Sequence, residues 1–363
     1  MVGLHAEQFD YPLPEELIAQ EPAPRRDDSR LMVVPPGAGS VGIRHRRFRE
    51  LPQWLRPGDC LVINDSRVVP ARLAARRAGG AGGAVEILLV ERLDGGEVPQ
   101  HQRWRAMVRP GRRVRPGDTL VLAEDLTCRV LDRDDRGGRV LSFEGPHVEQ
   151  RLRQLGRLPL PPYIRRQPPD PERYQTVFAR HEGSIAAPTA GLHFTPDLLD
   201  TLRAQGVTVA RITLHVGPGT FRPVRTRRVE DHVLDPEPYE VPEDTAEAVA
   251  AARRRGGRVV AVGTTVTRTL ESVALPDGTI RPGRGRTGLF ILPGHRFRVV
   301  DALLTNLHLP RSTLLMLVAA FCGPDRIRAA YREAVRCRYR FFSFGDAMLL
   351  LGGRRDGHPV HPA

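Results

Sequence analysis

The sequence contains no lysine: all 55 of its basic residues are arginine. That excludes a Schiff-base enzyme, a phosphate loop with its lysine, and a lysine nucleophile. Cysteine is scarce. Cys60, Cys128, Cys322 and Cys337 stand far apart with no CxxC pair, which argues against a zinc ribbon, an iron–sulfur cluster or a disulfide framework. No apolar run approaches the ~18 residues of a spanning helix. The opening residues carry acids and prolines and no apolar signal core, so the sequence reads as a cytoplasmic, soluble protein without a signal peptide.

What is present is a long, loop-rich chain. Its 363 residues include 35 glycines and 33 prolines, enough chain for about two domains. The net charge is +13 with a pI near 10.8, which favours a polyanionic partner such as nucleic acid. The plainer alternative is a GC-rich genome that writes arginine wherever a cation is needed.

The texture changes along the chain. Leu13, Leu17 and Ile18 stand at helical spacing, with Pro14 near the start of the predicted helix, and the charges from Arg25 to Arg30 read as a solvated turn. Arg56-Pro-Gly-Asp59 turns into a strand, Cys60 to Ile63, and Asn64-Asp65-Ser66 closes it. Over residues 69–152, short apolar runs recur between Gly-rich turns, at Val85–Val90, Trp104–Val108, Thr119–Leu122, Cys128–Leu131 and Val140–Phe143. That spacing predicts a small inserted β-barrel. Six arginines and Trp104 between Arg103 and Arg115 suit either an RNA-facing edge or a solvated face.

Residues 1–68 and 153–363 read as one mixed α/β domain, a layered α/β/α unit. Helices are predicted at Asp197–Gln205, Pro242–Arg255 and Leu314–Phe321. Strands are predicted at Val207–Val216, Arg258–Val262 and Leu289–Leu292, with a strand-like close at Arg338–Asp346. Strands alternating with helices indicate a mostly parallel sheet with helices on its faces.

The densest candidate site is Gly183–Phe194, nearly uncharged, with Ser184, Thr189, Gly191 and His193. Thr195-Pro196-Asp197 then reads as a helix start. Two more loops share its glycines and hydroxyls: His215, Gly217, Gly219, Thr220 and Arg222 after one strand, and Gly263, Thr264, Thr265 and Arg268 after another. In open α/β sheets such loops gather at the strand carboxyl ends. The Gly263–Arg268 turn suits a carboxylate or phosphate. The histidines His193, His215 and His308 lack carboxylates at ligand spacing, which argues against a metal.

At these residues the chain resembles the S-adenosylmethionine:tRNA ribosyltransferase-isomerases of queuosine biosynthesis. The resemblance runs from about Phe9 to Leu350. It is carried by LRPGDCLVINDSRVVPARL (Leu55–Leu73), LPLPPYIRR (Leu158–Arg166), ERYQTVFAR (Glu172–Arg180) and GSIAAPTAGLHFT (Gly183–Thr195). TLHVGPGTFRPVR (Thr213–Arg225), VGTTVTRTLES (Val262–Ser272), VDALLTNLHLPRSTLLMLVAAF (Val300–Phe321) and YRFFSFGDAM (Tyr339–Met348) continue it. Departures from the family's usual residues fall at Asp235, Val266 and Gly288.

The resemblance implies transfer and isomerisation of the ribosyl part of S-adenosylmethionine onto 7-aminomethyl-7-deazaguanine at the tRNA wobble position. Adenine and methionine leave and epoxyqueuosine remains. It implies tRNA and S-adenosylmethionine as partners, no metal or organic cofactor, no membrane and no obligate protein partner. A sulfonium acidifies its 5′ carbon, so one base, from protein or substrate amine, removes a proton there. His193 is the first candidate, His215 the second, with Thr189 beside them. Arg268 and its loop are expected to hold the methionine carboxylate. Asp65 or Asp346 is expected to take the adenine amino group or the methionine ammonium. Arg67, Ser184, Asn306, His308 and Ser312 complete the expected binding set. Two rival readings are a non-catalytic tRNA-binding protein of this fold and an S-adenosylmethionine-dependent RNA methyltransferase. The second lacks its usual glycine-rich first turn here.

Overall fold

The computed structural model describes residues 4–37, 42–79, 83–94, 101–135, 137–221, 224, 226 and 228–352, with Thr220 and Phe221 described in their backbone alone. The chain divides into two compact units. One comprises Met1–Arg67, Pro162–His181 and Ala187–Ala363, and the other Val68–Pro161 and Glu182–Ala186.

The larger unit is built on a nine-stranded sheet. From one edge to the other it runs Gly283–Thr287, Glu237–Val241, Thr208–Leu214, Cys60–Asn64, Val259–Val262, Ala302–Asn306, Ala347–Leu351, Arg30–Val34 and Arg44–Arg47. The four strands from Thr208–Leu214 to Ala302–Asn306 are mutually parallel. Ala347–Leu351 runs against Ala302–Asn306 and parallel to Arg30–Val34. The carboxyl ends of the four parallel strands therefore share one edge with the starts of these two. Leu61, Ile63, Val260, Val262, Leu304 and Leu349 give the sheet an apolar face, and Leu198, Leu199 and Leu202 of the helix Pro196–Ala204 pack on it with Phe48 and Phe194.

The smaller unit is a closed antiparallel six-stranded barrel, in the order Arg139–Glu144, His101–Arg109, Ala84–Arg92, Arg72–Arg77, Thr119–Ala123 and Leu126–Arg133. Leu73, Ile87, Ala106, Leu120, Cys128 and Leu141 fill it. Glu182–Ala186 joins this unit because Ser184 O accepts from Val69 N at 2.9 Å and Ile185 enters the barrel core. The repeated Arg-Pro-Gly-Asp turns act alike: Asp59 and Asp118 each accept the backbone N–H of the arginine three residues earlier, at 3.0 and 2.7 Å.

Several expected elements are absent. Pro12 and Pro14 leave only a three-residue 3-10 turn, Glu15–Leu17, where a helix was predicted. Leu289–Leu292 is not a strand. The edge strand is Gly283–Thr287, after which Leu289 N bonds back to the Thr287 hydroxyl at 3.2 Å. Arg338–Asp346 is not extended either, since Arg338 and Phe342 take φ of 52° and 74°. The turn folds around the Asp346 carboxylate, which accepts Arg340 N at 2.8 Å. The charged stretch at Arg25–Arg30 is not wholly solvated, because Asp27 and Ser29 are buried.

Candidate active site

Each parallel strand delivers its functional residues where it ends. Asn64 closes the second of them and is 1% exposed. Its amide bonds Leu214 across the ladder in both directions, each at 3.0 Å. This fixes the two strand ends together and turns the next residue, Asp65, onto the same edge.

Asp65 is buried, yet only partly engaged. The Thr213 hydroxyl donates to its Oδ1 at 2.7 Å, and its backbone oxygen accepts Arg180 N at 2.7 Å. His181 Nε2 lies 3.8 Å from Oδ2, and that imidazole is 61% exposed. Arg211, Thr213 and His215 stand at i, i+2 and i+4, the spacing of one face of a strand. His215 is half-buried, and among the described residues its Nδ1 has no partner. Burial, with help from His181, holds its pKa below the ordinary value, while Asp65 acts in the opposite direction. His215 is therefore a neutral imidazole at pH 7 with a free nitrogen, beside a carboxylate able to stabilise its cation.

His193 differs in every one of these respects. It is 4% exposed and stacked on Phe48, ring centres 4.9 Å apart. Asn306 accepts from the Thr189 hydroxyl at 2.8 Å, so its amide nitrogen faces His193 Nε2 and Phe342 O, both at 3.2 Å. The imidazole accordingly accepts at Nε2 and donates from Nδ1 to Ser29 Oγ at 2.7 Å. Burial, then Arg340 and Arg26, push its pKa down to about 3. Both nitrogens are spent on the fold. His308 is alike: its Nε2 bonds Thr305 Oγ1 at 2.8 Å, and burial pushes it down to about 3.

Other expected binding residues are committed too. Arg268 forms a buried pair with Glu237 at 2.5 Å, both side chains 5% exposed, and donates Nε to Leu289 O at 2.9 Å. Glu237 also accepts Gly217 N at 2.8 Å. Arg268 thus braces the Gly217 loop, and its guanidinium is not open to a methionine carboxylate. Asp346 accepts Arg30 N and Arg340 N, both at 2.8 Å, and pairs with the Arg30 guanidinium; it is a turn clamp. Arg67 pairs with Glu172 at 2.7 Å. Ser312 caps the helix Thr313–Cys322 through Leu315 N, and Ser184 donates to Ala186 O.

Gly191 is required by packing: a Cβ there would stand 2.7 Å from Phe178 Cζ and 2.8 Å from Thr176 Cγ2. Gly219 lies beside Asp235, whose carboxylate a Cβ would meet at 3.3 Å. The side chain of Thr220 and the whole of Arg222 lie outside the described residues. Gly263 has φ 91° and ψ 160°, a conformation for glycine, and starts the helix Thr264–Ser272 with no side-chain cap. Thr264 and Thr265 follow it, both 7% exposed.

The structure therefore brings Asp65, His215 and the Gly263–Thr265 turn to one sheet edge with unspent hydrogen-bonding capacity. Sequence reasoning missed Arg180, His181 and Arg211 there. The alternation Arg211-Thr213-His215 was the available signal. Among the described residues, His45, Glu333 and Cys337 alone bring three ligand-type atoms within 4.8 Å. Glu333 is already held there by Arg336 at 2.6 Å. No described helix is long and apolar enough to cross a membrane.

Comparison with known proteins gives this edge its context. The sequence profile of the family described as queuosine biosynthesis protein matches residues 6–350. The S-adenosylmethionine:tRNA ribosyltransferase-isomerase of Symbiobacterium thermophilum is 57% identical over 345 residues, 94% of this chain and 98% of that protein. Its counterpart in Pelotomaculum thermopropionicum is 54% identical over 96% of this chain and 100% of its own. A crystal structure of S-adenosylmethionine tRNA ribosyltransferase from Thermotoga maritima, 45% identical, aligns with a TM-score of 0.53 over 95% of this chain and 100% of that one. With a match that spans both units, the chain belongs to the queuosine biosynthesis protein family.

Proposed function

We propose that this chain is an S-adenosylmethionine:tRNA ribosyltransferase-isomerase. It transfers the ribosyl part of S-adenosylmethionine to 7-aminomethyl-7-deazaguanine at the tRNA wobble position and isomerises it. Epoxyqueuosine forms, and adenine and methionine leave. The observation that carries this reading is the 57% identity over 98% of a relative bearing that name. In this reading S-adenosylmethionine is a co-substrate, no metal or organic cofactor takes part, and the enzyme works in the cytoplasm.

His215 is the protein base in this proposal. The sulfonium acidifies the adjacent 5′ carbon, and a neutral imidazole accepts its proton. Two observations support it: burial keeps the imidazole neutral, and Asp65, held by Thr213, favours the imidazolium that forms. The free N–H groups at the start of Thr264–Ser272 receive the methionine carboxylate, a reading supported by the uncapped Gly263. His193, Asn306 and Thr189 act as positioning residues.

The test is incubation with S-adenosylmethionine and tRNA carrying the deazaguanine, followed by chromatography. Adenine and methionine are expected. S-adenosylhomocysteine instead would make the chain a methyltransferase, and tRNA binding with neither product would make it a binding protein. His215→Ala should lower kcat by about 10²–10⁴-fold. An unchanged kcat would remove His215 and leave the substrate's amine as the base.

A further inference from the structure

The edge that carries His215 also holds two arginines that make no ion pair among the described residues. Arg211 precedes His215 by four residues on the same strand face. Its backbone is tied to Thr245, through N at 3.2 Å and through O at 2.5 Å. Its guanidinium makes no described ion pair, and its Nε is shielded from solvent without a partner. Arg180 is held to the same place by its backbone bond to Asp65 O at 2.7 Å, while its side chain is exposed and carries no described ion pair. Burial, and next the Arg180 charge, lower the pKa of Arg211; Asp65 opposes them. Several other arginines of this chain behave differently. Arg105, Arg258, Arg268 and Arg311 all sit on carboxylates.

We propose that Arg180 and Arg211, with His181 beside them, form the seat for one phosphodiester of the RNA strand next to the reacting nucleotide. The proposal rests on the function given above. An unpaired guanidinium pair at a strand's carboxyl edge offers several donors to an oxyanion, and a phosphodiester brings the charge that relieves their mutual repulsion. The same chemistry would accept the carboxylate of the methionine moiety. The phosphodiester is favoured because Arg180 and His181 face solvent, where a polymer backbone passes, whereas a small co-substrate is enclosed. Anchoring the backbone here holds the splayed base within reach of His215.

The experiment measures tRNA affinity across a salt series for the full chain and for Arg180→Gln, Arg211→Gln and the double variant. Arg328→Gln, on the exposed pair with Asp325, is the control. Each seat variant should lower the slope of log affinity against log salt by about 0.7. Each should weaken tRNA binding by roughly tenfold at low salt and leave the KM for S-adenosylmethionine unchanged. Arg211→Gln should melt no lower than the parent, because it removes a repulsion. If that variant fails to fold, Arg180→Gln carries the test.

Unchanged slopes and affinities in the seat variants would overturn the proposal. So would a raised KM for S-adenosylmethionine with normal tRNA binding, which would assign the seat to the carboxylate. A parent protein that binds tRNA with the expected slope changes but releases no adenine would refute the enzymatic reading alone. A parent that binds no tRNA would refute both.

Discussion

Replacing Arg268 by alanine separates two physical accounts of the same residue. If its guanidinium held a substrate carboxylate, the loss would appear in the KM for S-adenosylmethionine and the fold would be indifferent. The geometry argues otherwise. Arg268 and Glu237 are each 5% exposed and meet at 2.5 Å. Removing one partner leaves a buried carboxylate uncompensated, a cost of about 3–5 kcal/mol. The acceptor at Leu289 O, 2.9 Å from Arg268 Nε, loses its donor as well.

For a unit of this size roughly 2–3 °C accompanies each kcal/mol, so the midpoint should fall by about 6–15 °C. Replacing both partners by apolar residues, Arg268→Met with Glu237→Leu, should recover most of that loss, because no lone charge remains buried. Catalysis should suffer in both variants, since Glu237 also holds Gly217 N at 2.8 Å. The assay is thermal unfolding followed by circular dichroism, beside steady-state kinetics. An Arg268→Ala protein that melts like the parent but needs far more S-adenosylmethionine would refute this reasoning and restore the carboxylate role.

Acid should destabilise the fold before the carboxylates titrate. His193 and His308 are held neutral, both near 3, against about 6.5 in the unfolded chain. Between those values the unfolded state binds more protons, so stability falls with falling pH, by roughly 2 kcal/mol per histidine at pH 5. A midpoint that does not change between pH 7.5 and pH 5 would contradict this. Gly191→Ala should cost about 1–3 kcal/mol by overpacking against Phe178 and Thr176. The measurement is urea denaturation, and a full-stability Gly191→Ala protein would refute the packing account.

Part of the sheet was legible from its apolar runs. Val259–Val262 is buried throughout, and its apolar run announces it. Two of the strands that escaped show why. Arg72–Arg77 puts only Leu73 and Ala75 inside the barrel, 1% and 4% exposed, and its arginines mask the alternation. Gly283–Thr287 is an edge strand held by backbone pairing with Glu237–Val241, which leaves almost no side-chain pattern. The histidines were visible as residues but not as chemistry. The state of His193 is decided by Ser29 and Asn306, 164 and 113 positions away, and no local window contains them.

Strand direction explains how the acids of this edge come to differ. Where Ala347–Leu351 and Arg30–Val34 begin beside the end of Ala302–Asn306, opposed directions force the chain into tight turns. Arg338 and Phe342 take positive φ there, and the turn's backbone N–H groups need an acceptor. Asp346 supplies it, and Asn306 and His193 complete the lattice with Phe342 O and Ser29. Where Cys60–Asn64 and Thr208–Leu214 end side by side in parallel, Asn64 closes the strand pair and Thr213 holds one oxygen of Asp65. Asp65 is then left with an oxygen that no described hydrogen bond claims, and His215 with a nitrogen in the same condition. Buried polar groups are ordinarily satisfied by their own fold. At the parallel end of the edge that rule is relaxed for an acid and an imidazole side by side, a pair whose bonding a substrate can complete.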